Sequence, residues 1–402
     1  MTLTQSTTRL PSLILGTHVT ALGVLRLLEE RGIQSYVVDE TSDIIVRSRW
    51  YRPAERTLVE TSNSDELAGF LESLALPRAT LMPCSDRWTS AVAGLPPSIR
   101  GRFPASVPPW DAVEQFVDKS RFRTLIDRLE IPHPRTLVLN APEDLGHATD
   151  AELTNGFLKP TDSAAYHRLF NKKGFFPRSR RAAGLHVEQA STAGLTLMLQ
   201  EWIPGNFSKT VLIDGFVDRE GTIKGMLARR RLRIDPPKIA NTASSVTIPL
   251  EDVAETMDRI RKLLAAVEYR GPFNLEFKFD QRDGQFKIIE LNPRLAWYVA
   301  HIARAGLDLP WMVYLDAQEL PVPTAAPYRA GRYGLYGIPD ASAILRAWGS
   351  RRRPEGPVLR PWLIGDHILF WWRDPLPGVI EAWRSIRRRM RQAVGKLRSS
   401  PR

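Results

Sequence analysis

Cysteine is nearly missing from this chain. One residue, Cys84, stands in 402. An internal disulfide framework is therefore excluded, and the usage fits a reducing compartment. Long apolar runs are missing too. Residues 1–9 are polar, the run at 13–15 is too short for the core of a secretion signal, and the most apolar late stretch, residues 361–372, is interrupted by Asp366 and His367. No Gly-x-Gly-x-x-Gly follows the first expected strand, where only Gly16 and Gly23 stand, so a dinucleotide fingerprint is absent. Acidic residues vanish from 384–402, where eight basic ones occur. That tail holds +8 of the formal +12, and the other 383 residues carry only +4. The body is thus not a strongly basic nucleic-acid binder. No histidine lies near Cys84 to activate it, which reads it as a packing residue rather than a nucleophile.

What is present suits a chain of two or three domains. Apolar residues make up 43% of the chain, enough for sizeable cores. Residues 13–16, 21–31 and 34–39 read as strand, helix and strand, a βαβ unit with Gly32 closing the helix. A helix over 65–76 and a strand end at 80–86 extend this into a doubly wound α/β region over about 10–117. Asp118-Lys119-Ser120 opens another helix. A short strand ends in Leu158-Lys159-Pro160, a polar loop follows over 161–174, and residues 197–205 read as a strand running into a Pro-Gly turn. Antiparallel strands are expected over 211–217, 222–229 and 232–234, and a helix over 257–267.

The most informative stretch is the hairpin at 273–294. Phe273, Leu275, Phe277 and Phe279 alternate strictly with Asn274, Glu276, Lys278 and Asp280, the period of a half-buried strand. A three-residue loop over 282–284, with Gly284 at the position needing positive φ, sets Glu276 opposite Glu290 on one face. A two-residue Asp-Gly turn would send the two acids to different faces. Neighbouring carboxylates repel unless a cation lies between them. Glu276, Glu290 and Asn292 are all oxygen ligands, which suits Mg²⁺ or Mn²⁺ shared with nucleotide phosphates. The plainer alternative is a solvated charged face on an ordinary hairpin.

The succession Asp118-Lys119, Leu158-Lys159-Pro160, Gln200-Glu201-Trp202-Ile203-Pro204-Gly205, Glu276-Phe277-Lys278 and Glu290-x-Asn292-Pro293-Arg294 resembles the ATP-grasp ligases. Within them it is similar to the D-aspartate-ligase-like and carbamoyl-phosphate-synthase-like proteins. The resemblance covers about residues 10–320. It implies an α/β and α+β chain: a doubly wound pre-ATP-grasp domain over 1–117, then a two-lobed ATP-grasp domain over 118–322, its smaller lobe at about 140–205 and its larger at about 206–322. An extension with a basic helix fills 323–402. It further implies ATP with Mg²⁺ or Mn²⁺ on Glu276, Glu290 and Asn292, and nucleotide contacts from Lys119, Lys159, Lys173 and the backbone at Glu201 and Ile203. Arg231, Arg233 and Arg294 are implied to face an acyl phosphate, for which a planar guanidinium fork is well shaped. Two departures stand out: residues 161–173 contain no glycine to cradle a γ-phosphate, and Asn206, Phe207 and Ser208 occupy the place of a ribose-binding acid.

Each assignment has a plainer reading. Lys119 and Lys159 would be solvated lysines, residues 200–205 an ordinary strand end, and Arg229 to Arg233 a strand edge guarded by charge. The implied activity is a cytoplasmic, ADP-releasing carboxylate–amine ligase acting on small molecules, D-aspartate being one plausible carboxylate. The alternatives are an enzyme that stops at an acyl or carbamoyl phosphate, or a non-catalytic relative binding membrane or nucleic acid through its tail. Over 380–398 the stripe Trp383, Ile386, Met390, Val394 and Leu397 shares a helix with many arginines. Such a helix suits the inner face of an anionic membrane, an acidic substrate, or docking on its own protein.

Overall fold

The computed structural model describes residues 9–38, 44–236 and 241–399. Three sheets organise it. β1 (Ser12–Leu15), β2 (Ser35–Val38) and β3 (Thr80–Pro83) pair in parallel in the order β2-β1-β3. β4 (Thr136–Leu139), β5 (Gly156–Pro160) and β6 (Leu197–Glu201) form an antiparallel sheet in the order β4-β6-β5. Seven further strands make the large sheet: β7 (Thr210–Val217), β8 (Ile223–Asp235), β9 (Asn241–Ile248), β10 (Gly271–Asp280), β11 (Gln285–Asn292), β12 (Tyr333–Leu335) and β13 (Asp366–His367), in the order β11-β10-β7-β8-β9-β12-β13. Among the described residues, no helix is long and apolar enough to cross a membrane.

The helix Val19–Glu30 shows how these parts are tied together. Residues 19–28 are all buried. Their apolar members share one core with Leu295 to Leu315 and with Ile368, Leu369 and Trp371. Gly23 lets two helices touch: a Cβ there would lie 2.6 Å from Val299 Cγ1. Arg26 is wholly buried, donating to Asp374 Oδ2 at 2.8 Å and to the Leu369 and Asp374 carbonyls at 2.9 and 2.7 Å. Residues 323–380, which carry no readable motif, thus supply two strands to the large sheet and a buried carboxylate to the first helix. These strands are only three and two residues long, too short for a periodic signal.

On one face of the large sheet Phe273, Leu275 and Phe277 are fully buried with Ile260, Leu263 and Leu264 of the helix Glu255–Ala266. Each such side chain contributes about 2 kcal/mol. The opposite face of β10 is covered as well. Asn274, Lys278 and Asp280 are buried because each has a partner: Asp214 for the amide, the Ile203 carbonyl for the ammonium, Arg282 and Lys287 for the carboxylate. A buried polar face of this kind is tolerated only when so satisfied.

Several expectations need correction. The segment over 161–174 is not a plain loop but contains a helix, Ser163–Phe170. β8 is one strand of 13 residues rather than two, and β9 was not foreseen, since its serines, threonines and alanines show no apolar alternation. Nor are the arginines of β8 an exposed edge. The strand lies between β7 and β9, and Arg229, Arg231 and Arg233 are 2, 8 and 4% exposed.

Candidate active site

β10 and β11 pair Asp280 with Gln285, so the connecting loop is residues 281–284, one longer than expected; Gly284 holds φ at +73°. Carried on regularly, that register would set Glu290 opposite Leu275, on the core face. A β-bulge intervenes: Phe277 pairs with Ile288 and Glu276 with Glu290, leaving Ile289 as the extra residue. The bulge puts both acids on the polar face, with Asn274 opposite Asn292 beside them.

The two acids are held differently. Glu276 accepts a bidentate fork from Arg231, 3.0 and 2.8 Å, while Arg231 Nε donates to Thr242 Oγ1. Glu290 accepts from Asn292 Nδ2 at 3.3 Å. Burial would push the Glu290 carboxyl up, but Lys119, Lys159, Asn292 and Arg294 outweigh it and hold it below the ordinary carboxylate range.

The lysines arrive from two other elements. Asp118 caps the helix Lys119–Arg128, accepting from the Ser120 and Arg121 amides, and so fixes where Lys119 leaves the backbone. Lys119 Nζ donates to the Pro160 carbonyl at 3.0 Å, tying that helix to the end of β5. Burial lowers the Lys119 pKa, opposed by Glu290, Asp86 and Asp162. Lys159, on β5, is pushed down to about 7 by burial and by Lys119, with Glu290 and Glu276 opposing. Lys173 follows the helix Ser163–Phe170 and is exposed. Partial desolvation lowers its pKa, Glu290 raises it and Arg231 lowers it further. Glu290 is thus the carboxylate whose charge acts on Lys119, Lys159 and Lys173 alike.

Beyond β6, the chain at 201–203 is fixed by the acidic hairpin. Glu201 accepts from Arg282 at 2.6 Å and from the Arg135 amide at 3.1 Å. The Ile203 carbonyl accepts from Lys278 Nζ at 2.6 Å, and that ammonium lies 4.9 Å from the Trp202 ring. Burial leads in lowering the Lys278 pKa, with Glu276 opposing. Lys278 and Arg282 were not foreseen as site residues; the strict alternation on β10 did place Lys278 on the same face as Glu276.

The arginines divide. Arg294 donates to Asn292 Oδ1 at 3.1 Å and to Asp86 Oδ1 at 2.9 Å, so it bridges the hairpin to the first turn of the helix Asp86–Ala93 that follows β3. Asp86 is an addition to the site that sequence reading marked only as a strand end. Arg231 reaches the site through Glu276. Arg233 does not. It donates to Asp340 at 2.6 and 3.1 Å and to the Glu355 and Pro357 carbonyls, an interior ion pair rather than a group facing the acids. Register shifts on either side of Arg233 in the β8–β9 ladder turn it away from the line of Arg231. Cys84 is buried, and burial pushes its thiol up, as befits a packing residue.

Among the described residues no group of three or more His, Cys, Asp or Glu side chains could hold a metal ion alone. The donors at hand are two carboxylates and an amide, one carboxylate kept ionised by its surroundings. That set fits a hard divalent cation that takes its remaining oxygens from phosphates and water.

A family model described as the carbamoyl-phosphate synthase L chain, ATP binding domain, matches residues 231–309, which include both acids, Asn292 and Arg294. D-aspartate ligase from Enterococcus faecium is 25% identical over 244 residues, 59% of this chain and 58% of that protein. The carbamoyl phosphate synthase large chain of Methanothrix thermoacetophila is 23% identical over 274 residues, 62% of this chain but 24% of that one. The chain thus spans less than two thirds of either relative. Among solved structures, the ADP complex of N5-carboxyaminoimidazole ribonucleotide synthetase superposes with a TM-score of 0.59 at 17% identity, over 85% of this chain and 87% of the other. The chain is thus similar to ATP-grasp proteins, in sequence over residues 231–309 and in overall fold. The ATP-grasp match supplies a context for the hairpin: it lies in the stretch shared with the family model, whereas Lys119 and Lys159 lie outside it.

Proposed function

We propose that the protein is an ATP-dependent carboxylate–amine ligase. The observation that carries this reading is the meeting of Glu276 and Glu290 on one face with Lys119 and Lys159 beside them. The backbone at Glu201 and Ile203 receives adenine; Lys119, Lys159 and Lys173 hold the phosphates as point charges. Glu290, Asn292 and Glu276 would hold Mg²⁺ or Mn²⁺, which when bound neutralises phosphate charge. Arg294 orients the substrate carboxylate, aided by its tie to Asp86. Arg231 sets the position of Glu276. Arg233 is left out of the chemistry because its donors are committed to Asp340 and two carbonyls.

A carboxylate oxygen of the donor attacks the γ-phosphorus, the bond to the bridging oxygen breaks, and ADP leaves. An amine nitrogen then attacks the acyl carbon, the carbon–oxygen bond breaks, and phosphate leaves with the electron pair while the amine's surplus proton passes to solvent. Here the protein positions and stabilises charge rather than bonding covalently. The likeness to D-aspartate ligase favours D-aspartate as the carboxylate donor. ADP release measured over a panel of amino acids, with hydroxylamine trapping any acyl phosphate as a hydroxamate, tests the reading. Stimulation by a carboxylate and hydroxamate formation, both lost in Glu290→Gln, are expected. ATP turnover that no carboxylate alters would overturn it.

A further inference from the structure

The last quarter of the chain carries a surface that catalysis does not use. Eleven of the seventeen large apolar side chains left exposed among the described residues lie between Leu345 and Ile386. Ten of them stand on three neighbouring helices, and Trp372 lies in the turn before the last of these. The helix Leu376–Ser399 packs against Gly337–Gly349. Trp362, in the helix Leu359–Ile364, donates its indole N–H to Asp340 at 3.0 Å and so fixes that helix on the same support. Leu363 and Trp372 are 80 and 88% exposed.

The last helix settles a question that its sequence leaves open. Leu376, Val379, Trp383 and Ile386 follow one another at helical spacing and make a single stripe, which an internally docked helix would bury. All four are about half exposed or more, while Pro377 and Gly378 face the protein. Met390, Val394 and Leu397, which continue the pattern in sequence, lie outside the described side chains. An uncovered apolar stripe on a helix marks a surface that meets something else.

Charge names the partner. Residues 341–402 contain fourteen basic and four acidic residues, +10 of the chain's +12. Two of the acids are withdrawn into buried pairs, Asp366 with Arg332 and Asp374 with Arg26. Arg351, Arg352, Arg353, Arg360 and Arg373 are exposed, and Arg387 lies 4.3 Å from the Trp383 ring. A second copy of this face would repel it. A nucleic acid would match the arginines but leave Leu359, Leu363 and Ile364 uncovered. We propose that this face docks the protein on an anionic lipid bilayer. The aliphatic side chains enter the acyl boundary, the tryptophans sit at headgroup level, and the arginines pair with lipid phosphates.

The proposal is independent of the ligase reading, since it uses none of the same residues. The full chain is floated with vesicles of phosphatidylcholine alone and of phosphatidylcholine with phosphatidylglycerol. Expected is retention only on the anionic vesicles, falling as salt rises from about 0.1 M to about 1 M. The triple substitution Leu363→Glu, Trp372→Ser, Trp383→Glu should weaken that retention by roughly tenfold or more, with unchanged circular dichroism and thermal melt. All three positions are exposed, so the fold does not depend on them. Retention on neither vesicle, equal retention on both, undiminished retention of the variant, or a lipid-free dimer that the variant loses would each overturn the proposal.

Discussion

Lys159 offers the sharpest test, because its charge and its task pull in opposite directions. In the empty cleft its pKa lies near 7 rather than 10.5, chiefly through burial and the nearness of Lys119. Triphosphate bound at that position restores the charged form. Affinity that depends on a pKa raised by binding is fully present below the free value and is lost as pH rises above it. ATP binding should therefore weaken as pH climbs from about 7 toward about 9, by up to roughly tenfold per unit, with solvent in the cleft reducing that slope. Stability of the empty protein should move the other way. The unfolded chain binds more protons at Lys159 between about 7 and 10, so stability rises with pH across that window. One phosphate charge about 4 Å from the ammonium, at an effective dielectric of about 20, contributes about 4 kcal/mol. Lys159→Met should then cost on the order of a hundredfold or more in ATP affinity and flatten both pH slopes. Lys159→Arg should keep much of the affinity without its pH dependence. Titration calorimetry in two buffers of different ionisation heat measures both affinity and proton uptake. The phosphates' own last proton leaves near about 6, so the decisive range lies above it. Affinity constant across that range, with no proton uptake, would refute the reasoning.

Three further outcomes are expected. Arg233→Met should leave Asp340 charged and buried, at a cost of about 3–5 kcal/mol in urea melts, with the ATP affinity of the folded fraction unchanged. Arg231→Met removes both hydrogen bonds that orient Glu276. The stability loss should be smaller, about 2–3 kcal/mol because the pair is partly solvated, but turnover should fall by at least about tenfold. Deleting Ile289 removes the bulge yet by count keeps Glu290 opposite Glu276, so turnover should survive with about 1–2 kcal/mol lost. An alanine inserted after Ile289 should swing Glu290 to the core face and abolish turnover; survival of the insertion and death of the deletion would contradict the register argument.

The hairpin also explains what could be read from the sequence and what could not. The alternation Phe273 to Asp280 is local, and it correctly separated a core face from a polar face. The pairing of Glu276 with Glu290 was anticipated from a three-residue loop. The chain reaches the same pairing through a four-residue loop and a bulge one pair short of the acids. The two offsets of one residue run in opposite directions and cancel, so the acids regain both the same partner and the same face. The arginines of β8 were beyond such arithmetic. Their partners are Asp214, Glu276 and Asp340, separated in sequence by 15, 45 and 107 residues. No periodicity distinguishes a guanidinium that steadies a ligand from one that braces the interior. The same limit hid Asp86, which joins Arg294 across 208 residues. What a strand shows of itself is which face each side chain takes. Which charge waits opposite is decided by neighbours brought in from elsewhere, and at Arg231 and Arg233, two residues apart, that decision separates a group at the acid pair from one that only holds the sheet to its last helices.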